Sequence, residues 1–271
     1  MPYIDQDLQN RWFDFGGDTI INTNRHIRLT QDKPSQSGWL WSRLPMSAPY
    51  FQIEFDFKVE GKGDGLVGDG FAVWLTKERA EPGPVFGNRD RFEGVGIFFD
   101  TYANSRQSHS FPYVMAMVGD GRTSYDNDHD GLSNRAGGCE SDFRGKDVPT
   151  KGHITYSADA KVLKLKLQTK EWDQWEECFT LTDVTLPSNF YLGFSAITGE
   201  VHDNHDIISV STWLLSKSDI QVGQRRNNTP PPSSKSGLGW IFKFIVAGGV
   251  FAAVVTVAYK MSQKNNNMKR F

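Results

Sequence analysis

The chain has 271 residues, a formal net charge of −2 and 38% hydrophobic residues, enough for one large domain or two small ones. That near-neutral balance removes the electrostatic case for a nucleic-acid partner. Aromatics at 13% with Gly 26 favour many short strands joined by tight turns, because aromatics suit a pleated surface and glycine supplies positive φ.

The first twenty residues are polar with scattered aromatics, and Trp12 to Gly17 reads as an edge strand and turn. MPYIDQDLQNRWFDFGG shows neither the basic n-region nor the apolar h-region of a secretory signal. For a luminal protein two accounts stay open: the sequence begins after a cleavage site, or its true start lies elsewhere. A strand is expected over 20–29, a loop over DKPSQSG at 32–38, and apolar–polar alternation over 39–43. FQIEFDFKVE at 51–60 is the clearest period-two strand, with its odd positions apolar.

GKGDGLVGDG at 61–70 then makes a glycine-rich turn before a buried strand at 71–75. It is no phosphate cradle, since neither a helix nor a Lys-Ser/Thr pair follows. Asp69, between Gly68 and Gly70, stands at a strand entrance, and a solvated turn acid is its plainer reading. Residues 82–87 are irregular. Further strands are expected at 94–100, 111–118, 122–125, 151–157, 162–168, 174–179, 190–196 and 206–215. No convincing helical period longer than two turns occurs before residue 216, so the spacing predicts an all-β sandwich or jelly roll over 1–216.

Residues 217–239 read as a polar Pro/Ser stalk without heptads, so no coiled-coil oligomerisation is expected through it. WIFKFIVAGGVFAAVVTVAY at 240–259 has roughly the 20 residues of a membrane-spanning helix, with Trp240 and Tyr259 at its ends. The tail 260–271 carries Lys260, Lys264, Lys269 and Arg270 and no acid, which favours a cytoplasmic position, although Arg225, Arg226 and Lys235 dilute the asymmetry. The reading is a type I single-pass protein with its folded domain outside the cytosol. Cys139 and Cys178 are either two buried thiols or one disulfide, and the membrane segment favours the disulfide.

The stretch 94–131 carries the chemistry. Asp100, Tyr102 and Asn104 follow an apolar run at i, i+2 and i+4, and Asp126, Asp128 and Asp130 repeat that spacing before Gly131. Two oxygen-rich loops at strand ends suit calcium, which takes six to eight oxygens from carboxylates, amides and carbonyls. The second loop copies the start of an EF-hand loop, but its twelfth position is Gly137 rather than Glu and no helix flanks it. Glu54 and Asp56 have the i, i+2 spacing of a glycosidase pair, but their alternation with Ile53, Phe55 and Phe57 gives a plain solvated strand face. His202 and His205 lack partner cysteines and an HExxH context, so zinc is not expected, and nothing makes a case for a Ser/His/Asp or Cys/His set.

GDGFAVWLTKERAEPGPVFGNRDRFEGVGIFFDTYAN, FPYVMAM, SYDNDHDG, CESDFR and ITGEVHDNHDIIS, in that order, resemble the intracellular animal and fungal L-type lectins. These are legume-lectin-like cargo receptors of the early secretory pathway. The resemblance covers about residues 10–215, and the short stalk is similar to that of the vesicular integral membrane protein branch. It implies a concanavalin-type β-sandwich with calcium on Asp100, Tyr102, Asn104 and Asp130. It implies a mannose site of Ser35, Asp69, Asn104 and the loop Gly199, Glu200, Val201, and a pairing of Cys139 with Cys178. Asn127 stands where the family usually has a sugar-contacting histidine, with His129 two residues on, and Glu200 stands where it has aspartate. The function implied is calcium-dependent, non-enzymatic binding of high-mannose glycoprotein cargo in the endoplasmic reticulum, intermediate compartment or Golgi. The Lys269-Arg270-Phe271 ending resembles a coat-binding signal. The alternative is a membrane-anchored protein-binding sandwich with a degenerate sugar site.

Overall fold

The computed structural model describes residues 10–23, 25–63, 65–105 and 110–217. Apart from Lys217, the expected stalk 217–239 lies outside the described residues, as do the apolar run 240–259 and the basic tail 260–271. No helix among the described residues is long and apolar enough to cross a membrane.

The strands, in chain order, are β1 (Phe13–Gly17), β2 (Ile20–Asn22), β3 (His26–Thr30), β4 (Ser37–Ser42), β5 (Tyr50–Glu60), β6 (Gly70–Thr76) and β7 (Glu93–Asp100). There follow β8 (Tyr113–Asp120), β9 (Gly137–Glu140), β10 (Thr150–Ser157), β11 (Val162–Gln168), β12 (Glu176–Leu181), β13 (Tyr191–Ile197) and β14 (Asn204–Leu214). They form two seven-stranded sheets, ordered β1-β4-β13-β6-β7-β8-β9 and β12-β11-β10-β5-β14-β3-β2. Apart from Lys217, the last described residue, helical structure among the described residues is confined to two single 3-10 turns, Asn127–His129 and Leu132–Asn134.

The alternation of β5 explains the packing. Phe51, Ile53, Phe55, Phe57 and Val59 are buried, while the residues between them are half-exposed, so one face seals the core and the other meets water. Across the sandwich, Phe57 meets Phe71 and Phe99, and those two rings stack at 4.4 Å. Each fully buried phenylalanine contributes about 1.5–3 kcal/mol.

Strand β6 is buried along its whole length because it has cover on both faces. Phe71, Val73 and Leu75 join the inter-sheet core, whereas Ala72 and Trp74 join Phe86, Phe92, Phe98 and Tyr125 in a second apolar cluster. Loop residues 85–92 and 125 therefore form a lid over the outer face of the first sheet. Trp74 Nε1 donates to Ser195 Oγ at 2.7 Å, and that hydroxyl donates to the Phe86 carbonyl at 2.7 Å. One buried hydroxyl thus fastens the lid to the sheet.

Three expectations change. The single strand over 20–29 is a hairpin, β2 against β3, turned where Arg25 N donates to the Asn22 carbonyl. Residues 122–125 form no strand, because Asp120 Oδ1 captures the amides of Arg122 and Thr123 in a local turn. Strand β9, unexpected from Gly137-Gly138-Cys139-Glu140, pairs with β8 at the sheet edge. It brings Cys139 to Cys178 of β12, and the disulfide joins the edges of the two sheets across 39 residues of sequence.

Two buried ion pairs hold the strand ends. Arg28 donates to Asp206 at 2.7 and 2.8 Å, and Arg144 donates to both oxygens of Asp203 at 2.8 Å. Asp203 is 0% exposed, so its charge depends on Arg144. Arg144→Met should destabilise the domain by about 3–5 kcal/mol, the usual cost of leaving one buried ion alone. Denaturant unfolding checks this, and a change under about 1 kcal/mol would contradict it.

Nearby, His205 is fully buried, with Nδ1 2.7 Å from Thr30 Oγ1 and Nε2 without a partner. Burial, aided by Arg144, lowers its pKa from 6.5 to about 3. The unfolded chain takes up a proton near pH 6.5 that the native domain refuses, so stability falls as pH drops below 6.5. The loss from this group at pH 5 is about 2 kcal/mol. His205→Asn should shrink the stability difference between about pH 7.5 and about pH 5 by that amount in urea titrations. An unchanged difference would show that other groups set the acid sensitivity.

Candidate functional site

The site lies where β6 and β7 pair at their ends, with Gly70 opposite Asp100. Gly68 and Gly70 exist for close approach. A Cβ on Gly68 would stand 2.6 Å from Val201 Cγ2 and 3.0 Å from Tyr102 Cβ, and Gly70, at φ +149, lies against the Phe99 carbonyl. The cis Gly68–Asp69 peptide carries Asp69 between them. The Asp69 carbonyl accepts from Thr101 N and Oγ1 at 3.0 and 3.1 Å, and its carboxyl accepts from the Gly199 amide. Burial pushes the Asp69 pKa up to about 6 against that bond. It is not the solvated turn acid of the plainer sequence reading.

Asp100 ends β7 with 7% exposure and accepts the Tyr102 amide at 3.0 Å. Burial holds its pKa well above 3.8 despite that bond, and Asp130 and Asp69 raise it further. Asp130, also 7% exposed, sits in a left-handed conformation. Its two oxygens accept the amides of Asn104 at 2.9 Å and Ser105 at 3.4 Å. Asn104 Nδ2 in turn donates to the Asn127 carbonyl at 2.7 Å. The two acidic loops are therefore laced to each other.

Asp126 points elsewhere. Its carboxylate meets His129 Nδ1 at 2.9 Å and Ser133 Oγ at 3.1 Å, within its own loop. Asp128 and His129 are exposed, and neither is among the residues that line the cleft.

Asp69, Asp100, Asn104, Asn127 and Asp130 line an open cleft of about 190 Å³ together with Pro84, Phe86, Tyr125 and Ile197. The lining contains three carboxylates and no lysine, arginine or histidine. Among the described residues no group of three or more His, Cys, Asp or Glu is placed to hold a metal. A cation here would need amide and carbonyl oxygens beside the acids, and Asn104 and the Asp100–Asn104 backbone supply that chemistry. The donor set is all oxygen, as a hard cation requires.

Ser35, Tyr102, Gly199, Glu200 and Val201 are not among the lining residues. Tyr102 and Gly199 donate their amides to two residues that are, Asp100 and Asp69. Ser35, at φ 56, donates its amide to the Gly199 carbonyl at 3.0 Å, while the Gly199 amide bonds Asp69. Glu200 is exposed and Val201 packs against Gly68. Sequence reasoning missed Pro84, Phe86, Tyr125 and Ile197. The one signal was the breaker-rich stretch 82–87, which read as irregular loop and in fact lays Phe86 against Phe98 and Tyr125. Glu54 and Asp56 lie in the second sheet and share Lys151 at 3.0 and 3.1 Å. His202 Nδ1 lies 2.6 Å from Asp32 Oδ1.

This architecture has close relatives. An L-type lectin-like domain-containing protein of Schizosaccharomyces pombe is 39% identical over 219 residues, covering 80% of this chain and 70% of that protein. The VIP36-like protein of Mus musculus is 35% identical over 275 residues, covering 94% and 78%. The vesicular integral-membrane protein VIP36 of Canis lupus familiaris is 41% identical over 205 residues, covering 75% of this chain but 57% of VIP36. The crystal structure of the VIP36 exoplasmic/lumenal domain with Ca2+ and mannose bound matches at a TM-score of 0.75 and 39% identity, covering 79% and 88%. The Emp47p carbohydrate recognition domain, 18% identical at a TM-score of 0.65, shares the fold. The model of the legume-like lectin family matches residues 1–222, and the chain belongs to that family.

Proposed function

We propose that the chain is a calcium-dependent lectin for mannose-type N-glycans, acting as a cargo receptor or retention lectin in the early secretory pathway. The observation that carries this reading is the cleft of three acids without a basic residue in its lining. Buried acids of like charge disfavour one another, and a bound cation reverses that balance. Support comes from VIP36, whose exoplasmic/lumenal domain has been crystallised metal-free, with Ca2+, and with Ca2+ and Man3GlcNAc.

In this reading Asp100, the Tyr102 carbonyl, Asn104 and Asp130 hold the ion. Calcium, when bound, supplies positive charge that fixes the Asn104 amide. Asp69, with the Gly199 amide beside it, accepts hydrogen bonds from vicinal sugar hydroxyls, and Asn104 completes the contact. Phe86 and Tyr125 give the cleft its apolar wall. Nothing in this arrangement performs a reaction, in keeping with a carbohydrate-binding family. The proposed organisation is a luminal domain over 1–216, a stalk over 217–239, a type I membrane span over 240–259 and a cytoplasmic tail over 260–271. That tail is proposed to contact a vesicle coat.

A second reading, a protein-binding sandwich with a degenerate sugar site, is favoured by Asn127 and by Glu200, which is exposed. Calorimetry with a high-mannose glycan, with and without a chelator, separates the two. Saturable heat abolished by chelation supports the lectin, whereas calcium uptake without sugar heat supports the protein-binding sandwich.

Two substitutions test the roles. Asp69→Asn should lose glycan binding while keeping the fold and calcium uptake, and intact binding would remove Asp69 from the site. Asp100→Ala should abolish the rise in melting temperature on adding calcium. For the wild type that rise corresponds to about 2.7 kcal/mol at a hundredfold excess over Kd. A wild-type melting temperature insensitive to calcium would refute the metal assignment.

A further inference from the structure

Three loops meet on one side chain behind the cleft. Asp32 Oδ2 accepts the Lys62 amide at 2.9 Å, Oδ1 lies 2.6 Å from His202 Nδ1, and the Asp32 amide donates to Asn204 Oδ1 at 2.9 Å. Those partners belong to the glycine-rich turn that leads to Asp69, to the loop that follows Gly199 and to the first residue of β14. Asp32 itself lies three residues before Ser35.

The turn is shaped for this meeting. A Cβ on Gly61 would collide with the Asp203 carboxylate and stand 3.0 Å from Asp32 Oδ1, so only glycine lets both acids close on one turn. Arg144, paired with Asp203, donates to the Gly63 carbonyl at 3.1 Å and fastens the same turn. Above this, Thr198 Oγ1 donates to the Lys33 carbonyl at 2.8 Å and Ser35 N donates to Gly199 O at 3.0 Å. None of these bonds involves Asp100, Asn104 or Asp130.

We propose that Asp32 is a positioning residue for the sugar: it joins the three loops that carry Ser35, Asp69 and Gly199, and sets glycan affinity independently of the calcium ligands. The proposal rests on the lectin reading above. Side-chain exposure of 13% for Asp32 against 34% for His202 places the carboxylate at the centre of the junction and the imidazole toward its edge. A bond that an ionised carboxylate accepts from a backbone amide is the stronger kind, which suits a group that must hold loops lacking regular ladders.

The test compares wild type, Asp32→Ala and Asp32→Asn as full-length chains in mild detergent. It reads calcium affinity, methyl α-mannoside affinity and amide hydrogen exchange at Ser35, Lys62 and Gly199. In Asp32→Ala those amides should exchange faster and mannoside affinity should fall roughly tenfold or more, the worth of a charged hydrogen bond, with calcium affinity unchanged. Asp32→Asn keeps an oxygen for the Lys62 amide and should fall between. Unchanged exchange, unchanged mannoside affinity, or parallel loss of calcium and mannoside would overturn the proposal. Should Asp32→Ala fail to fold, Asp32→Asn and His202→Ala carry the same comparison. A wild type that takes calcium but no mannoside refutes the lectin reading instead, and exchange then decides alone whether Asp32 holds the loops.

Discussion

Burying Asp100 and Asp130 in one cleft is the constraint on which the rest of this domain depends. Each is 7% exposed, and Asp69 adds a third acid to the same lining. Desolvation opposes the charges of Asp100 and Asp69, and repulsion from the neighbouring acids adds to it at Asp100. Backbone amides offset part of the cost: Tyr102 for Asp100, Asn104 and Ser105 for Asp130, Gly199 for Asp69. Those amides are neutral donors and leave the net negative charge in place. The cleft is thus organised for a cationic partner, and the fold must be rigid enough to keep acids together that repel.

Rigidity comes from three sources. The inter-sheet core places β6 and β7 through Phe57, Phe71 and Phe99, and these strands carry Asp69 and Asp100 at their ends. The lid of Phe86, Phe92 and Tyr125 packs on the opposite face of the same strands, so neither face can relax. At the strand ends, the paired ions Arg144–Asp203 and Arg28–Asp206 replace the ladder that the loops lack. The disulfide acts at a different place, where β9 and β12 form sheet edges that would otherwise be tied only by packing. The sandwich is a frame for loop geometry, and recognition depends on loops.

Much of this was legible before any coordinates. Strict alternation in β5 and the continuous apolar runs of β6 and β7 each reflect how many faces are covered. The i, i+2, i+4 spacing marked both acidic loops, and the resemblance singled out Asp130 from its neighbours. In the structure Asp130 lines the cleft, whereas Asp126 is engaged by His129 and Ser133. What escaped notice depends on contacts distant in sequence. Asp32 and His202 are 170 positions apart, Arg144 and Asp203 are 59 apart, and no local pattern announces either pair. Asp69 read as a solvated acid because its partner, the Gly199 amide, lies far along the chain. The β2–β3 turn and the 120–123 turn were lost to side-chain and backbone capture by single residues, which outweighs a weak apolar pattern. Strand β9 has two glycines in four residues and earns its place only by pairing with β8.

The most direct test of the central claim is an anomalous difference map from crystals of the protein grown with terbium in place of calcium. The account predicts one strong peak in the cleft, within bonding distance of Asp100, Asn104 and Asp130, with the Tyr102 carbonyl turned toward it. A cleft without a peak, or a peak held instead by Asp126 and Asp128, would contradict the assignment and leave the buried acids without the partner that explains them.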